Sequence, residues 1–108
     1  MLPAVTYILP DGSRCSLDLS DGVSLMQGAI ENAVPGVLGD CGGACVCATC
    51  HLYVDETRLG ELDAPSELED ELLNGVAAPR RHNSRLGCQV RMTKLLDGLV
   101  VVVPERQR

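Results

Sequence analysis

Cys41-Gly-Gly-Ala-Cys45-Val-Cys47-Ala-Thr-Cys50 places four cysteines within ten residues, and a fifth, Cys88, follows 38 positions after the last of them. Thiolates are soft ligands that select zinc, Cu(I) or iron–sulfur clusters. Several thiolates in one short loop, closed by one distant thiolate, indicate a metal site. The remainder of the chain must therefore fold so that Cys88 meets this loop.

Size and charge restrict the classes of protein to which the chain can belong. Its 108 residues, of which 45% are hydrophobic, predict a single domain spanning residues 1–108. A net charge of −6 excludes nucleic acid and anionic membranes as favourable partners and favours a cationic protein surface. The N-terminus lacks a secretory signal, and the longest apolar run, residues 99–103, is too short to span a membrane. We expect a cytoplasmic monomer whose cysteines are thiols or ligands rather than disulfides.

The N-terminal third of the sequence predicts a β-hairpin followed by a helix. Residues 4–9 and 14–19 are strand-like, and Pro10-Asp-Gly-Ser13 between them has turn composition. Cys15 falls on the apolar face of the second strand, where we expect it in the core. Ser24 can cap a helix whose apolar residues recur at helical spacing.

The C-terminal half predicts three more strands and a second helix. Residues 51–54 and 85–92 are expected to be strands, and residues 99–103 a central strand that is covered on both faces. Ser66-Glu-Leu-Glu69 has the form of a capping box, for a helix ending near Asn74. The order β-β-α-loop-β-α-β-β predicts an α+β fold, a mixed sheet with a helix packed across it.

Three kinds of cysteine chemistry compete. Disulfides disagree with the expected compartment, and a bond between Cys45 and Cys47 would be strained. Zinc commonly uses two short-spaced pairs, but only Cys47-Ala-Thr-Cys50 forms such a pair, and Cys88 has no close partner. The plant-type [2Fe–2S] spacing would require a cysteine at position 42, which is glycine.

A spacing that is one residue longer accommodates a [2Fe–2S] cluster. Four cysteines then fit the ligand register: Cys41, Cys47, Cys50 and Cys88. Four thiolates around two ferric ions and two sulfides leave a formal charge of −2, which becomes −3 on reduction. Gly42, Gly43 and Ala44 allow backbone amides to approach such an anion. Cys45 falls outside the register, and we assign it to packing.

The motifs resemble those of one family over nearly the whole chain. Residues 39–51 carry the cysteine loop, and residues 83–90 read Asn-Ser-Arg-Leu-Gly-Cys-Gln-Val. Both resemble the adrenodoxin-type [2Fe–2S] ferredoxins, especially the bacterial putidaredoxin-like group that serves cytochromes P450. Residues 21–27, 96–100 and 103–107 extend the similarity. The resemblance implies a β-grasp fold, the ligand set given above, and an electron-transfer protein rather than an enzyme. Such a carrier shuttles between an FAD-containing ferredoxin reductase and a P450 monooxygenase.

The resemblance also implies where partners dock. Eight of the fifteen acidic residues lie between Asp55 and Glu71, in an acidic segment of about residues 55–75. In the family, the helix of this segment docks on basic patches, and a residue beside the first ligand contacts the P450. The docking residues carried over in this way are Asp40, Glu67, Glu69, Asp70 and Glu71.

Three further positions take their interpretation from the resemblance. Arg108 and Leu68 lie on the expected docking surface, where the putidaredoxin type of the resemblance has an aromatic C-terminal residue and a basic residue, respectively. His51 is expected to be structural, hydrogen-bonded to the acidic segment. Two other functions stay open on the sequence: a ferredoxin for iron–sulfur cluster assembly, and a non-redox zinc module or thiol sensor.

Overall fold

A tight turn closes the N-terminal hairpin, as predicted. The computed structural model describes residues 2–32, 34 and 50–105. In it, β1 (Ala4–Ile8) pairs antiparallel with β2 (Arg14–Asp18). The Asp11 carboxylate accepts hydrogen bonds from the amide and the hydroxyl of Ser13, at 2.9 and 2.6 Å. Gly12 between them has a φ of 89°, which glycine adopts without steric cost.

Five strands form one mixed sheet in the order β2-β1-β5-β3-β4. The C-terminal three are β3 (His51–Val54), β4 (Ser84–Leu86) and β5 (Leu99–Val102). β5 runs parallel to β1 and antiparallel to β3, while β3 and β4 are antiparallel. This topology confirms the predicted α+β fold with a mixed sheet.

Serine caps begin both α-helices where the sequence predicted them. At the start of α1 (Leu25–Glu31), the Ser24 hydroxyl accepts a hydrogen bond from the Gln27 amide. At the start of α2 (Glu67–Leu73), the Ser66 hydroxyl accepts one from the Glu69 amide. A six-residue 3-10 helix, Glu56–Glu61, was not predicted. In the part of the chain that the structure describes, no helix is long and apolar enough to cross a membrane.

The hydrophobic core lies between α1 and one face of the sheet. Val5 and Tyr7 of β1 and Leu99 and Val101 of β5 are fully buried there, with Leu25 of α1 in the same cluster. The Tyr7 hydroxyl donates to the Leu25 carbonyl at 2.7 Å, which fixes the start of α1 against the sheet. Burial of Tyr7 raises its pKa, so the hydroxyl remains a donor.

Two strand predictions need correction. β5 is central, as predicted, but within the described residues its second face is incompletely covered, because Val100 is half-buried and Val102 is 38% exposed. The predicted strand at residues 85–92 is interrupted: β4 ends at Leu86, and a 3-10 helix, Gly87–Gln89, follows. The Gly87 amide donates to the Cys50 carbonyl at 2.7 Å, in register with the β3–β4 ladder, and the chain leaves the strand directly after this bond.

The two faces of β5 predict unequal effects of the same substitution. Val101→Ala should lower the free energy of unfolding by about 2 kcal/mol, because it leaves a cavity in the core. Val102→Ala should change it by less than about 1 kcal/mol, since this side chain already contacts water. Urea unfolding of both variants followed by circular dichroism measures the difference. Equal losses would show that the second face of β5 is covered.

Candidate metal centre

The β3–β4 pairing brings two of the predicted ligands together. Cys50 lies directly before β3, and Cys88 lies in the 3-10 helix that follows β4. His51 stands opposite Leu86 in the ladder, so the flanking cysteines meet at the same end of the two strands. The Cys88 amide donates to Cys50 Sγ at 3.4 Å. Both cysteines are buried, at 1% and 4% exposure.

A glycine makes this close approach possible. A Cβ on Gly87 would lie 3.1 Å from the Cys50 carbonyl oxygen and 3.1 Å from the backbone nitrogen of Met26. Both contacts are with backbone, which cannot move aside as a side chain can. Gly87 therefore allows the Cys88 segment to lie against the start of β3 and of α1 at once.

The surroundings of the two sulfurs suit a buried thiolate centre. Cys50 Sγ accepts a backbone N–H, and Gln89 Nε2 lies 3.5 Å from Cys88 Sγ. N–H donors and exclusion of water stabilise thiolate-bound clusters and tune them. Two buried neighbouring cysteines with such donors match half of the ligand set that a [2Fe–2S] cluster requires.

Five other residues that the sequence analysis singled out lie outside the described residues. They belong to the cysteine loop, to the position before it and to the C-terminus: Asp40, Cys41, Cys45, Cys47 and Arg108. Within residues 2–32, 34 and 50–105, no three metal-binding side chains gather around one point. The four-cysteine ligand set thus stays a prediction. Cys15 is half-buried on β2 and packs against the core, on the face where the sequence placed it.

His51 joins the two strands that carry the cysteine pair. Its ring is fully buried, and Nε2 lies 2.8 Å from the Ser84 hydroxyl on β4. This bond runs to β4, whereas the sequence interpretation proposed a bond to the acidic segment. Burial lowers the pKa of His51 to about 4, with smaller contributions from the charges of Arg80 and Arg81, so the ring is neutral at pH 7.

Glu69 is an internal residue and must be removed from the predicted docking set. Its side chain is 1% exposed. Its two oxygens accept hydrogen bonds from Nε and from a terminal nitrogen of Arg85, at 2.8 and 3.0 Å. The Leu86 amide donates to the same carboxylate at 2.9 Å. A further Arg85 nitrogen donates to the Asp63 carbonyl at 2.7 Å. The pair ties α2 to β4, three residues before Cys88.

The remaining carboxylates of α2 differ in how far they are neutralised. Asp70 is 59% exposed and pairs with Arg80 at 2.5 Å. Glu67 and Glu71 are exposed, and no ion pair among the described residues engages either of them. Two of the four predicted docking residues on this helix therefore present an uncompensated charge.

Arg58, the one basic residue between Asp55 and Glu71, is used within the molecule. It binds both oxygens of Glu61 and donates to the carbonyls of Leu95 and Asp97 at 2.8 and 2.7 Å. The hydrogen bond from Arg58, followed by its charge, lowers the pKa of Glu61. Arg58 thus fastens the 3-10 helix Glu56–Glu61 to the turn before β5.

Comparison with known proteins agrees with this geometry. Residues 8–93 match the family model of the 2Fe-2S iron-sulfur cluster binding domain. The chain is 55% identical over 103 residues to Ferredoxin CarAc of Sphingomonas sp, covering 95% of this chain and 94% of that protein. It is 50% identical over 103 residues to putidaredoxin of Pseudomonas putida, covering 95% and 96%. Putidaredoxin in its covalent complex with putidaredoxin reductase superposes with a TM-score of 0.93 at 50% identity, over 95% and 99% of the two chains. This likeness confirms the predicted β-grasp fold.

Neutralising the buried carboxylate should be far more costly than neutralising its exposed neighbour. Glu69→Gln leaves the Arg85 charge buried without its partner and should lower the free energy of unfolding by about 3 kcal/mol or more. Asp70→Asn disrupts an exposed pair and should lower it by about 1 kcal/mol or less. Urea unfolding of the two variants provides the comparison. Similar values would mean that Glu69 is accessible to water.

A methyl group at position 87 should disturb the cysteine pair. Gly87→Ala should lower the free energy of unfolding by about 1–3 kcal/mol and weaken iron retention, because backbone on two sides must shift. Gly60→Ala is the matched control, since its Cβ would meet no atom within 4 Å. Urea unfolding and iron content measure both effects. Full stability with full iron in Gly87→Ala would refute the close approach.

Proposed function

The chain belongs to the family of [2Fe–2S] cluster-binding ferredoxins, and on that premise we propose that it carries single electrons from an FAD-containing ferredoxin reductase to a cytochrome P450. Its cofactor is a [2Fe–2S] cluster, and it is an electron carrier rather than an enzyme. The observation that carries the proposal is the meeting of Cys50 and Cys88, two buried cysteines 38 residues apart, at the edge of the sheet where β3 begins and β4 ends.

We propose Cys41, Cys47, Cys50 and Cys88 as the four ligands. The sequence register supports the set, and in the described half of it the Cys88 amide donates to Cys50 Sγ. The bound cluster supplies the chemistry, the uptake and release of one electron. The chain contributes the rest: Cys50 and Cys88 bind, the Cys88 amide and Gln89 donate toward sulfur, and the surrounding core excludes water.

The proposed partner surface centres on Glu67 and Glu71. They are four residues apart and so lie on one face of α2, exposed and without an ion pair in the described part of the chain. Such charges speed the encounter with a cationic partner more than they strengthen the complex, which suits a carrier that must dissociate after each transfer. Asp40 and Arg108 remain proposed contacts, with Asp40 on the side of the P450.

The choice of reductase and P450 rests on similarity. The related protein putidaredoxin forms a complex with putidaredoxin reductase, and its fold matches this chain closely. Leu68 is 51% exposed on α2, so an apolar side chain lies within the proposed surface. Because Leu68 and Arg108 depart from putidaredoxin on the expected docking surface, we propose that this chain serves a P450 other than that of putidaredoxin. We place it in the cytoplasm.

Reconstitution discriminates this function from iron–sulfur cluster assembly. NADH and putidaredoxin reductase should reduce the holoprotein, which should then reduce P450s encoded in the same genome and support substrate oxidation. A cysteine desulfurase assembly system reconstituted with the same chain is the comparison. Electron delivery to that system without turnover of any P450 would replace the proposed function by the alternative.

The ligand assignment predicts unequal effects for two cysteines. Cys88→Ser should lose the cluster or severely perturb its visible spectrum, because a proposed ligand sulfur is removed. Cys15→Ser should keep the spectrum, since Cys15 lies on β2, at the opposite edge of the sheet from β4. Iron and acid-labile sulfide analysis with absorption spectra measures both. A complete cluster in Cys88→Ser would show that the register is wrong.

The docking surface predicts a loss of rate that salt suppresses. The double variant Glu67→Gln/Glu71→Gln should slow reduction by putidaredoxin reductase about threefold or more at low ionic strength, and less at high salt. The control is the double variant Asp18→Asn/Asp21→Asn. It also removes two negative charges, from exposed residues elsewhere on the surface. Stopped-flow rates at several salt concentrations compare them. An equal loss in the control would assign the effect to net charge alone.

A further inference from the structure

The side chain of Gln89 connects the protein surface to a buried sulfur. Gln89 is exposed, whereas Cys88 beside it is only 4% exposed. The amide nitrogen Nε2 nevertheless lies 3.5 Å from Cys88 Sγ. A thiolate only accepts hydrogen bonds, so the amide must turn its N–H group rather than its oxygen toward the sulfur. This contact joins a replaceable side chain to a sulfur that we propose as a ligand.

The position of Gln89 leaves it open to solvent on its other side. It lines a groove of about 460 Å³ together with residues of the turn before β5, including Leu95 and Leu96. The side chain therefore lies between an open groove and the buried sulfur. Its hydrogen bond stabilises negative charge on the Cys88 sulfur.

We propose that Gln89 tunes the centre: the hydrogen bond from its amide to Cys88 Sγ raises the reduction potential. This inference rests on the proposed role of Cys88 as a ligand. Reduction adds one negative charge, part of which the ligand sulfurs carry. An N–H donor stabilises the more negative state more strongly, so a donor raises the potential and its removal lowers it. Gln89 would act on the bound cluster through its hydrogen bond to Cys88 Sγ.

A neighbouring glutamine provides a matched control. Gln27 of α1 is exposed and lines a second groove in which Cys88 also takes part. Its Nε2 donates to Glu31 Oε1 at 2.7 Å, so its amide is directed along α1 instead of toward sulfur. Gln27→Leu thus makes the same chemical change near the centre without removing an N–H···S bond.

The test is a redox titration of the purified holoprotein and three variants. Gln89→Leu should shift the reduction potential to a more negative value. The equilibrium constant for reduction of the holoprotein by one chosen mediator should then fall about threefold or more. Gln89→Glu, which keeps the shape of the side chain and adds a negative charge at pH 8, should shift it further in the same direction. Gln27→Leu should leave the potential unchanged.

A vibrational measurement separates tuning from a general structural effect. In D₂O, exchange of N–H···S hydrogens shifts the Fe–S(Cys) bands in resonance Raman spectra, and this shift should be smaller in Gln89→Leu than in wild type or Gln27→Leu. An unchanged potential in Gln89→Leu and Gln89→Glu, with full iron and sulfide, would overturn the inference and leave the proposed function standing. A wild-type protein without iron and sulfide would overturn the proposed function itself.

Discussion

The buried carboxylate of Glu69 is the interaction on which the geometry of the site depends. It accepts hydrogen bonds from two nitrogens of Arg85 and from the backbone amide of Leu86. One carboxylate therefore binds both a side chain and the backbone of β4. Removing two charges from water is unfavourable, and only close, complete pairing compensates for it. The pair therefore requires α2 and β4 to keep one relative position. Because Cys88 follows Arg85 by three residues, the same constraint positions the acidic helix relative to the cysteine pair.

This constraint gives the acidic helix two different faces. Glu69 points inward and fixes the helix, Asp70 is neutralised by Arg80, and Glu67 and Glu71 present their charges to solvent. The other side of the site has a similar division. Gly87 and the β3–β4 ladder bring Cys50 and Cys88 together, whereas the exposed Gln89 contacts one of the two sulfurs. Residues that hold the site together are thus separate from those that can adjust its rate or potential.

Local patterns in the sequence predicted most of the fold, and non-local contacts account for the errors. The hairpin, both serine caps and the position of β5 follow from turn chemistry, capping and apolar runs. The capping-box pattern correctly predicted where α2 begins, but the carboxylate of Glu69 is committed to Arg85, 16 residues later, which no local pattern reveals. The apolar run of β5 predicted cover on both faces, although nothing in the described chain covers Val102 fully. Alternation also predicted a continuous strand through Gly87, where the chain instead enters a 3-10 helix.

The candidate site was predictable to a similar degree. Cysteine spacing and the family resemblance predicted the cluster, and the fold brings Cys50 and Cys88 together as that prediction requires. The internal role of Arg58 carries no periodic or motif signal, because it depends on residues that the fold brings near. Arg85 and Gln89 belong to the motif of residues 83–90, but the motif did not reveal that Arg85 pairs with Glu69 or that the Gln89 amide contacts Cys88 Sγ.

The central claim, a one-electron carrier built on one [2Fe–2S] cluster, is tested most directly by anaerobic reductive titration of the purified holoprotein with electron paramagnetic resonance detection. The account predicts uptake of one electron for each chain and the appearance of one unpaired spin for each chain in the reduced state. Uptake of two electrons for each chain, or a colourless protein that takes up none, would contradict it.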